Sequence, residues 1–188
     1  MSKQKRIIKL TAAAVTALLI LIFLVSGIVQ CCKVNKKYPA PVVKAACMSQ
    51  ELMINDNNLK VTATGFELKK IDELCPDHSI KFDYSADSRI ALVRLNVKNV
   101  SEGHEYFSLT SPVLTANGWK NGLFLDMFMM LNAEYDTDLE PDESIDIIAP
   151  YAMFDYQFEK SNWEKIDSQE FSIVFDVYPE RVYIDLSK

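Results

Sequence analysis

Leu10 to Val29 reads LTAAAVTALLILIFLVSGIV, twenty residues without a charged side chain. At 1.5 Å rise per residue, a helix of that length is about 30 Å long, the thickness of a bilayer's hydrocarbon core. The chain must therefore place this segment in lipid, remove it, or bury it whole. The run is terminal and unbroken. Lys3, Lys5, Arg6 and Lys9 precede it, and Lys33, Lys36 and Lys37 follow it. Basic flanks on both sides are the pattern of a spanning helix rather than a core helix. The expected layout is a cytoplasmic tail over 1–9, a transmembrane signal anchor over 10–29 and an extracytoplasmic remainder. Val25-Ser26-Gly27 puts small residues where a signal peptidase wants them. A secreted form cleaved near Gly27 is the alternative.

The residues that follow extend this reading. Gln30 before Cys31 is too large for the pocket of a lipoprotein peptidase, so lipidation at Cys31 is disfavoured. Cys31 and Cys32 then stand at the outer boundary of the membrane, where an inter-chain disulfide would make a homodimer. Tyr38-Pro39-Ala40-Pro41 cannot continue a helix, because proline lacks the N–H and disfavours helical geometry before it. An extended stalk is expected over 30–50, with the folded domain over 51–188.

Charge narrows the partners of that domain. Residues 1–37 hold seven Lys and Arg and no Asp or Glu, which leaves residues 38–188 with a net charge of −13. Nucleic-acid binding rests on Lys and Arg neutralising phosphate, so that class of function is excluded.

Beyond Glu51 the apolar residues alternate. Leu59 to Leu68 alternates over most of its length, and Val93, Leu95 and Val97 oppose Arg94, Asn96 and Lys98. Phe171, Ile173, Phe175 and Val177 repeat the pattern, and Val182, Ile184 and Leu186 close the chain. A period of two with one apolar face means half-buried strands. Asn57-Asn58, Glu102-Gly103, Asn117-Gly118 and Asn121-Gly122 punctuate these runs, and Asn-Gly suits the positive φ of hairpin turns. The expected fold is all-β: an immunoglobulin-like β-sandwich of seven to eight strands with one or two short helices. The helices are placed at Lys70 to Cys75, ended by Pro76, and at Ser161 to Ile166. Ser161 would cap the second, with Glu164 completing a capping box.

Several stretches also carry a resemblance. They are Tyr38-Pro39-Ala40-Pro41, Gly118 to Phe124, Leu139 with Pro141, Pro150-Tyr151-Ala152-Met153-Phe154-Asp155-Tyr156-Gln157-Phe158 with Trp163, and Phe171 to Pro179. Together they resemble an uncharacterised family of membrane-anchored proteins of Gram-positive bacteria, known only as a domain of unknown function. That family is similar to small immunoglobulin-like sandwiches of the telokin-like or antigen type. The resemblance implies fold and location, and carries no catalytic or binding residue.

Candidate chemistry is sparse. Cys47 and Cys75 lie 28 residues apart, and a disulfide between them would contribute about 3–4 kcal/mol in the chain-entropy model. Free thiols are the equal alternative. Asp136, Asp138 and Glu140 fall in a run of five carboxylates within eight residues, an oxygen-rich set of the kind calcium takes. The glycine a calcium loop needs at its sixth position is Pro141 here, so a solvated acidic loop is the plainer reading. His78 and His104 are the only histidines and lack ligand spacing. Leu123 to Leu131 is interrupted only by Asp126. It reads as a doubly buried segment or as an interaction patch through Phe124, Met127, Phe128 and Met130, extended by Tyr151 and Phe154.

No residue set forms a recognisable active site, and no cofactor is called for. The expected function is non-enzymatic: a membrane-anchored extracytoplasmic binding or accessory module for a protein or cell-wall partner. A calcium-stabilised adhesion-type domain is the alternative.

Overall fold

A computed structural model describes residues 3–132 and 135–187, with side chains from Val15 onward. The chain divides into two compact units, Met1–Ala40 and Pro41–Lys188.

The first unit is a single helix, α1, over Lys3–Lys37. It contains the whole uncharged run and continues for eight residues beyond Val29. Within it, Val15–Lys37 is long and apolar enough to cross a membrane. Tyr38 accepts no further turn because Pro39 and Pro41 follow, and its N–H closes the helix on the Val34 carbonyl at 2.8 Å.

The second unit is a β-sandwich of eleven strands among the described residues. The strands are β1 Val42–Cys47, β2 Glu51–Ile54, β3 Leu59–Lys69, β4 Ser88–Asn99, β5 Glu105–Tyr106, β6 Val113–Ala116, β7 Trp119–Asn121, β8 Asp138–Leu139, β9 Ser144–Phe154, β10 Ser172–Asp176 and β11 Glu180–Asp185. One sheet has the order β1-β11-β10-β6-β7 and the other β2-β3-β4-β9, while β5 and β8 form a separate ladder. β1 runs parallel to β11, and the remaining pairs are antiparallel. The order β11-β10-β6-β7 corresponds to the G-F-C-C′ order of a variable-type immunoglobulin sheet. The opposite sheet departs from that plan, because β2-β3-β4 is a consecutive meander.

Local chemistry accounts for the turns and the irregularities. Ala116 pairs with Trp119, leaving the two-residue loop Asn117-Gly118 with φ of 45° and 82°. Positive φ at both loop positions is the hairpin geometry that Asn-Gly favours. β3 carries a bulge between Ala63 and Gly65 that inserts Thr64. Before it Leu59, Val61 and Ala63 face the core, and after it Phe66 and Leu68 do. One inserted residue shifts the alternation by one, so the strand keeps an apolar face while its parity reverses. The bulge also brings Gly65 against Arg94, where an added Cβ would lie 3.1 Å from the Arg94 Cδ.

The core has two layers. Between the sheets lie Val61, Val93, Leu95, Leu114, Ile147, Tyr151, Ile173 and Ile184, among others. A second cluster forms on the outer face of β4 and β9, from Ile90, Leu92 and Ala152. Two short helices contribute to it, α2 over Ile71–Leu74 through Ile71 and α3 over Leu125–Leu131 through Met127, with Cys75 at the C-terminal cap of α2. The upper half of β4 is thus buried on both faces, and the lower half keeps Arg94, Asn96 and Lys98 out of the core.

Several expectations change. Residues 41–50, expected as stalk, hold β1 inside the five-stranded sheet, so the compact unit begins at Pro41 rather than Glu51. The expected seven to eight strands become eleven. Val177 falls outside β10 and is 65% exposed. Helix α4 spans Lys160–Trp163, with Glu159 rather than Ser161 at the N-cap position.

Candidate binding site

A cleft of about 600 Å³ opens at one end of the sandwich. Four stretches far apart in sequence build it: Lys44 of β1, the β2–β3 turn, the segment from Tyr106 to Pro112 and the β10–β11 hairpin. Leu59, Phe107, Pro112 and Val182 are buried beneath it, and Met53, Ile54 and Phe175 are half-buried along its walls. Asn55, Asp56 and Asn57 form its lip, all in the left-handed region with φ of 51°, 55° and 68°. Asn and Asp reach that region more cheaply than other side chains, because they bond their own backbone. The lip is braced from below. The Asn55 and Asn58 side-chain amides donate to the Glu105 carboxylate at 2.5 and 2.6 Å. Phe175 is aimed by a bulge between Val174 and Asp176. Bulges gather where a strand must re-aim a side chain.

The polar rim is acidic. Asp56, Asp176 and Glu180 face a single cation, Lys44, which pairs with Glu180 at 2.6 Å. Asp176 Oδ1 accepts the Val177 and Tyr178 N–H groups at 2.6 and 3.2 Å. Among the described residues the Asp56 side chain has no hydrogen-bond or ion-pair partner. Tyr106 stands over the cleft at 64% exposure. From sequence, Asn57-Asn58 read only as a turn, and Leu59, Phe175 and Val182 only as strand positions.

The residues singled out from sequence lie elsewhere. Cys47 and Cys75 are unpaired. Cys47 is exposed on the edge strand β1, whereas Cys75 is sealed in the second core layer beside Ile71. Cys75 Sγ lies 3.3 Å from Asp77 Oδ1 and Ser79 Oγ, and the Tyr84 hydroxyl donates to it at 3.6 Å. The Ser79 contact lowers the Cys75 pKa, with burial opposing it. Burial, followed by the Cys75 bond, pushes the Tyr84 phenol up to about 12. His78 stacks on Tyr84 with ring centroids 3.8 Å apart. With 1% exposure, Cys75 is closed to substrates, and this corner is a polar plug in the wall of the core.

The acidic run does not gather round a point. Asp138 is held extended in the β5–β8 ladder, 3.5 Å from His104 Nδ1. Asp136 Oδ1 accepts the Asp138 N–H at 3.0 Å, and the Glu140 N–H donates to Glu143 Oε2 at 2.8 Å. Among the described residues no three His, Cys, Asp or Glu converge on a metal position.

The interaction patch also dissolves. Met127, Phe128 and Tyr151 are each 0% exposed, so they are core, and Phe124 and Phe154 pack half-buried against the second layer. Met130 alone of the six is exposed, next to Met129 and Leu125. The helix α3 explains this: its apolar run wraps a full turn, and two of its residues point inward where a strand would bury every second one.

Asn132 was not singled out by sequence. Its side chain imitates a neighbouring strand, donating to the Ile148 carbonyl and accepting the Ile148 N–H, both at 2.9 Å. With Asn121 Nδ2 donating to the Ala152 carbonyl and the Phe124 N–H to the Pro150 carbonyl, both at 2.8 Å, it satisfies the outer edge of β9. An open edge would otherwise invite pairing with another chain.

An eleven-stranded sandwich with an end cleft, preceded by one long apolar helix, defines a small β-sandwich domain with an N-terminal apolar helix. Residues 45–182 match one family model throughout, so the chain belongs to the family described as Domain of unknown function (DUF5028). A search of curated proteins finds no match. Among solved structures the chain is similar to a conserved hypothetical protein of Bacillus anthracis, 13% identical, covering 72% of this chain and 94% of that one at a TM-score of 0.49. It is also similar to an uncharacterised β-sandwich protein of Clostridium difficile, 13% identical, covering 78% and 96% at a TM-score of 0.45. A candidate lipoprotein of Bacillus subtilis is 14% identical, covering 74% of this chain and 38% of that one at a TM-score of 0.48.

Proposed function

We propose that the chain is a membrane-anchored binding module, with α1 as a single-pass signal anchor and the sandwich on the extracytoplasmic side. One observation supports the reading above the others. From Val15 onward the large apolar side chains of α1 are exposed, from Val29 at 47% to Phe23 at 80%. About 25 cal/mol per Å² favours moving such surface out of water, and a bilayer is the solvent that accepts a whole helix of it. Among its described residues the sandwich lacks a comparable apolar face, and its acidity keeps it off an anionic lipid surface. The module works by binding rather than by catalysis. Its partner is a protein or cell-wall component, and Cys31 or Cys32 would clasp two copies.

Intact mass of the protein from membranes washed at alkaline pH tests this, read with and without reductant. A full-length mass near 21.4 kDa in the pellet supports the anchor, and a doubled mass without reductant supports the clasp. A mass lacking residues 1–27, or recovery in the wash, overturns the anchor and makes the protein secreted.

A further inference from the structure

We propose that the end cleft binds an organic cation with an apolar body, an ammonium or guanidinium group carried on an aromatic or aliphatic frame. The inference rests on the reading of the chain as a binding module and names the chemistry that module takes.

The cleft's volume of about 600 Å³ lies in the range of small-molecule sites. Its chemistry is layered by depth. Leu59, Phe107 and Val182 at the floor offer only carbon, so the buried part of a ligand must be apolar. The rim holds three carboxylates, and Lys44 offsets one of them through its 2.6 Å pair with Glu180. Two negative charges remain, on Asp56 and Asp176. A low-dielectric wall focuses that field into the mouth, which attracts a cation and repels phosphates and carboxylates. Asp56 holds no partner among the described residues and is free to accept a charge-assisted hydrogen bond. The exposed face of Tyr106 offers a second attraction for positive charge through its ring quadrupole. The cleft lining contains neither His nor Cys, which removes the usual soft-metal ligands from it.

The backbone is built to hold this rim. Three consecutive left-handed residues at the lip are costly and persist because Glu105 ties down the side-chain amides of Asn55 and Asn58. A solvated hairpin could use a cheaper Asn-Gly turn, as β6–β7 does.

Met53 lines the cleft and reports on it directly. Full-length protein in zwitterionic nanodiscs, labelled with methyl-¹³C methionine, is titrated with benzylammonium, benzyl alcohol and benzoate. The peptide acetyl-Phe-Lys-amide is a fourth probe, and Met53→Leu assigns the signal. The expected result is a saturable shift of the Met53 methyl with benzylammonium and none with benzoate. Asp56→Asn combined with Asp176→Asn weakens the binding roughly tenfold or more, the worth of a charge-assisted hydrogen bond. Asn at 176 keeps the Oδ1 that accepts the two backbone N–H groups, and unmoved Met127 and Met153 signals certify the fold. Tighter binding of the peptide than of benzylammonium assigns the cation to a peptide side chain, and the reverse assigns it to a free amine. A Met53 shift of equal size with benzoate or benzyl alcohol overturns the cation while leaving a binding cleft. A Met53 signal unmoved by all four probes overturns the cleft as a binding site, and membrane anchoring is then judged separately by the alkaline wash.

Discussion

Tyr151→Phe is expected to stabilise the protein. Tyr151 is 0% exposed, and its hydroxyl has no hydrogen-bond partner among the described residues. Burial alone raises its phenol above the ordinary range, which marks a polar group stranded in carbon. Leaving such a group unpaired costs about 1–3 kcal/mol. Removing the oxygen opens a void smaller than a methyl group and returns part of that gain, so the net is about 1 kcal/mol. For a domain of this size that corresponds to a rise in Tm of about 2–4 °C. Thermal and urea unfolding of the full chain in nanodiscs, followed by circular dichroism, reads both quantities. The midpoint should rise with an unchanged slope against denaturant, because the surface exposed on unfolding is the same. A Tm that falls would be the opposite outcome. It would mean the hydroxyl is bonded, through an ordered water, and that the core is wetter than its side chains indicate.

The edge of β9 supplies an opposite case: Asn132→Ala removes two hydrogen bonds to Ile148 and should cost about 2 kcal/mol, with self-association by light scattering as the edge opens. Asp87 accepts the Trp163 indole N–H at 2.8 Å and pairs with Arg89 at 3.1 Å, and the Trp163 bond is the leading cause of its lowered pKa. A lowered carboxylate pKa stabilises above the unfolded value, near 3.9, and that contribution is lost as pH falls through the folded value. Asp87→Asn should therefore lower stability by about 1 kcal/mol at pH 7, discounted for a side chain that is half exposed, with the gap to wild type closing below about pH 4 in a pH series of melts. A gap independent of pH would remove the charge from the explanation.

The strands with clean alternation were legible: β4 and β11 present the apolar faces that Val93, Leu95, Val97 and Val182, Ile184 prescribe, and Leu186 stays in the core one residue past the end of β11. The Asn117-Gly118 hairpin was equally plain, because the turn's dihedrals demand those residues. β1 was not, since Val42-Val43-Lys44-Ala45-Ala46-Cys47 follows two prolines and shows no strict alternation. Its partner, β11, lies at the other end of the chain, and no local pattern announces a parallel pair of that separation. Met127 and Phe128 belong to different core layers, a division that exists only once α3 covers the edge of β9. The cleft is the extreme case. Its lining comes from four distant stretches, each unremarkable alone, and only the sandwich brings Asn55–Asn57 beside Tyr106 and Asp176.

If α1 anchors the protein and the sandwich lies outside the cell, Cys47 is placed to report it. In the variant carrying Cys31→Ser and Cys32→Ser, Cys47 is the one exposed thiol left among the described residues, with Cys75 sealed at 1% exposure. A membrane-impermeant maleimide is added to intact cells, and the protein is recovered from the alkaline-washed membrane pellet. Labelling at Cys47 before lysis, on full-length protein, is the predicted result. Labelling only after lysis would put the sandwich in the cytoplasm and overturn the extracytoplasmic placement.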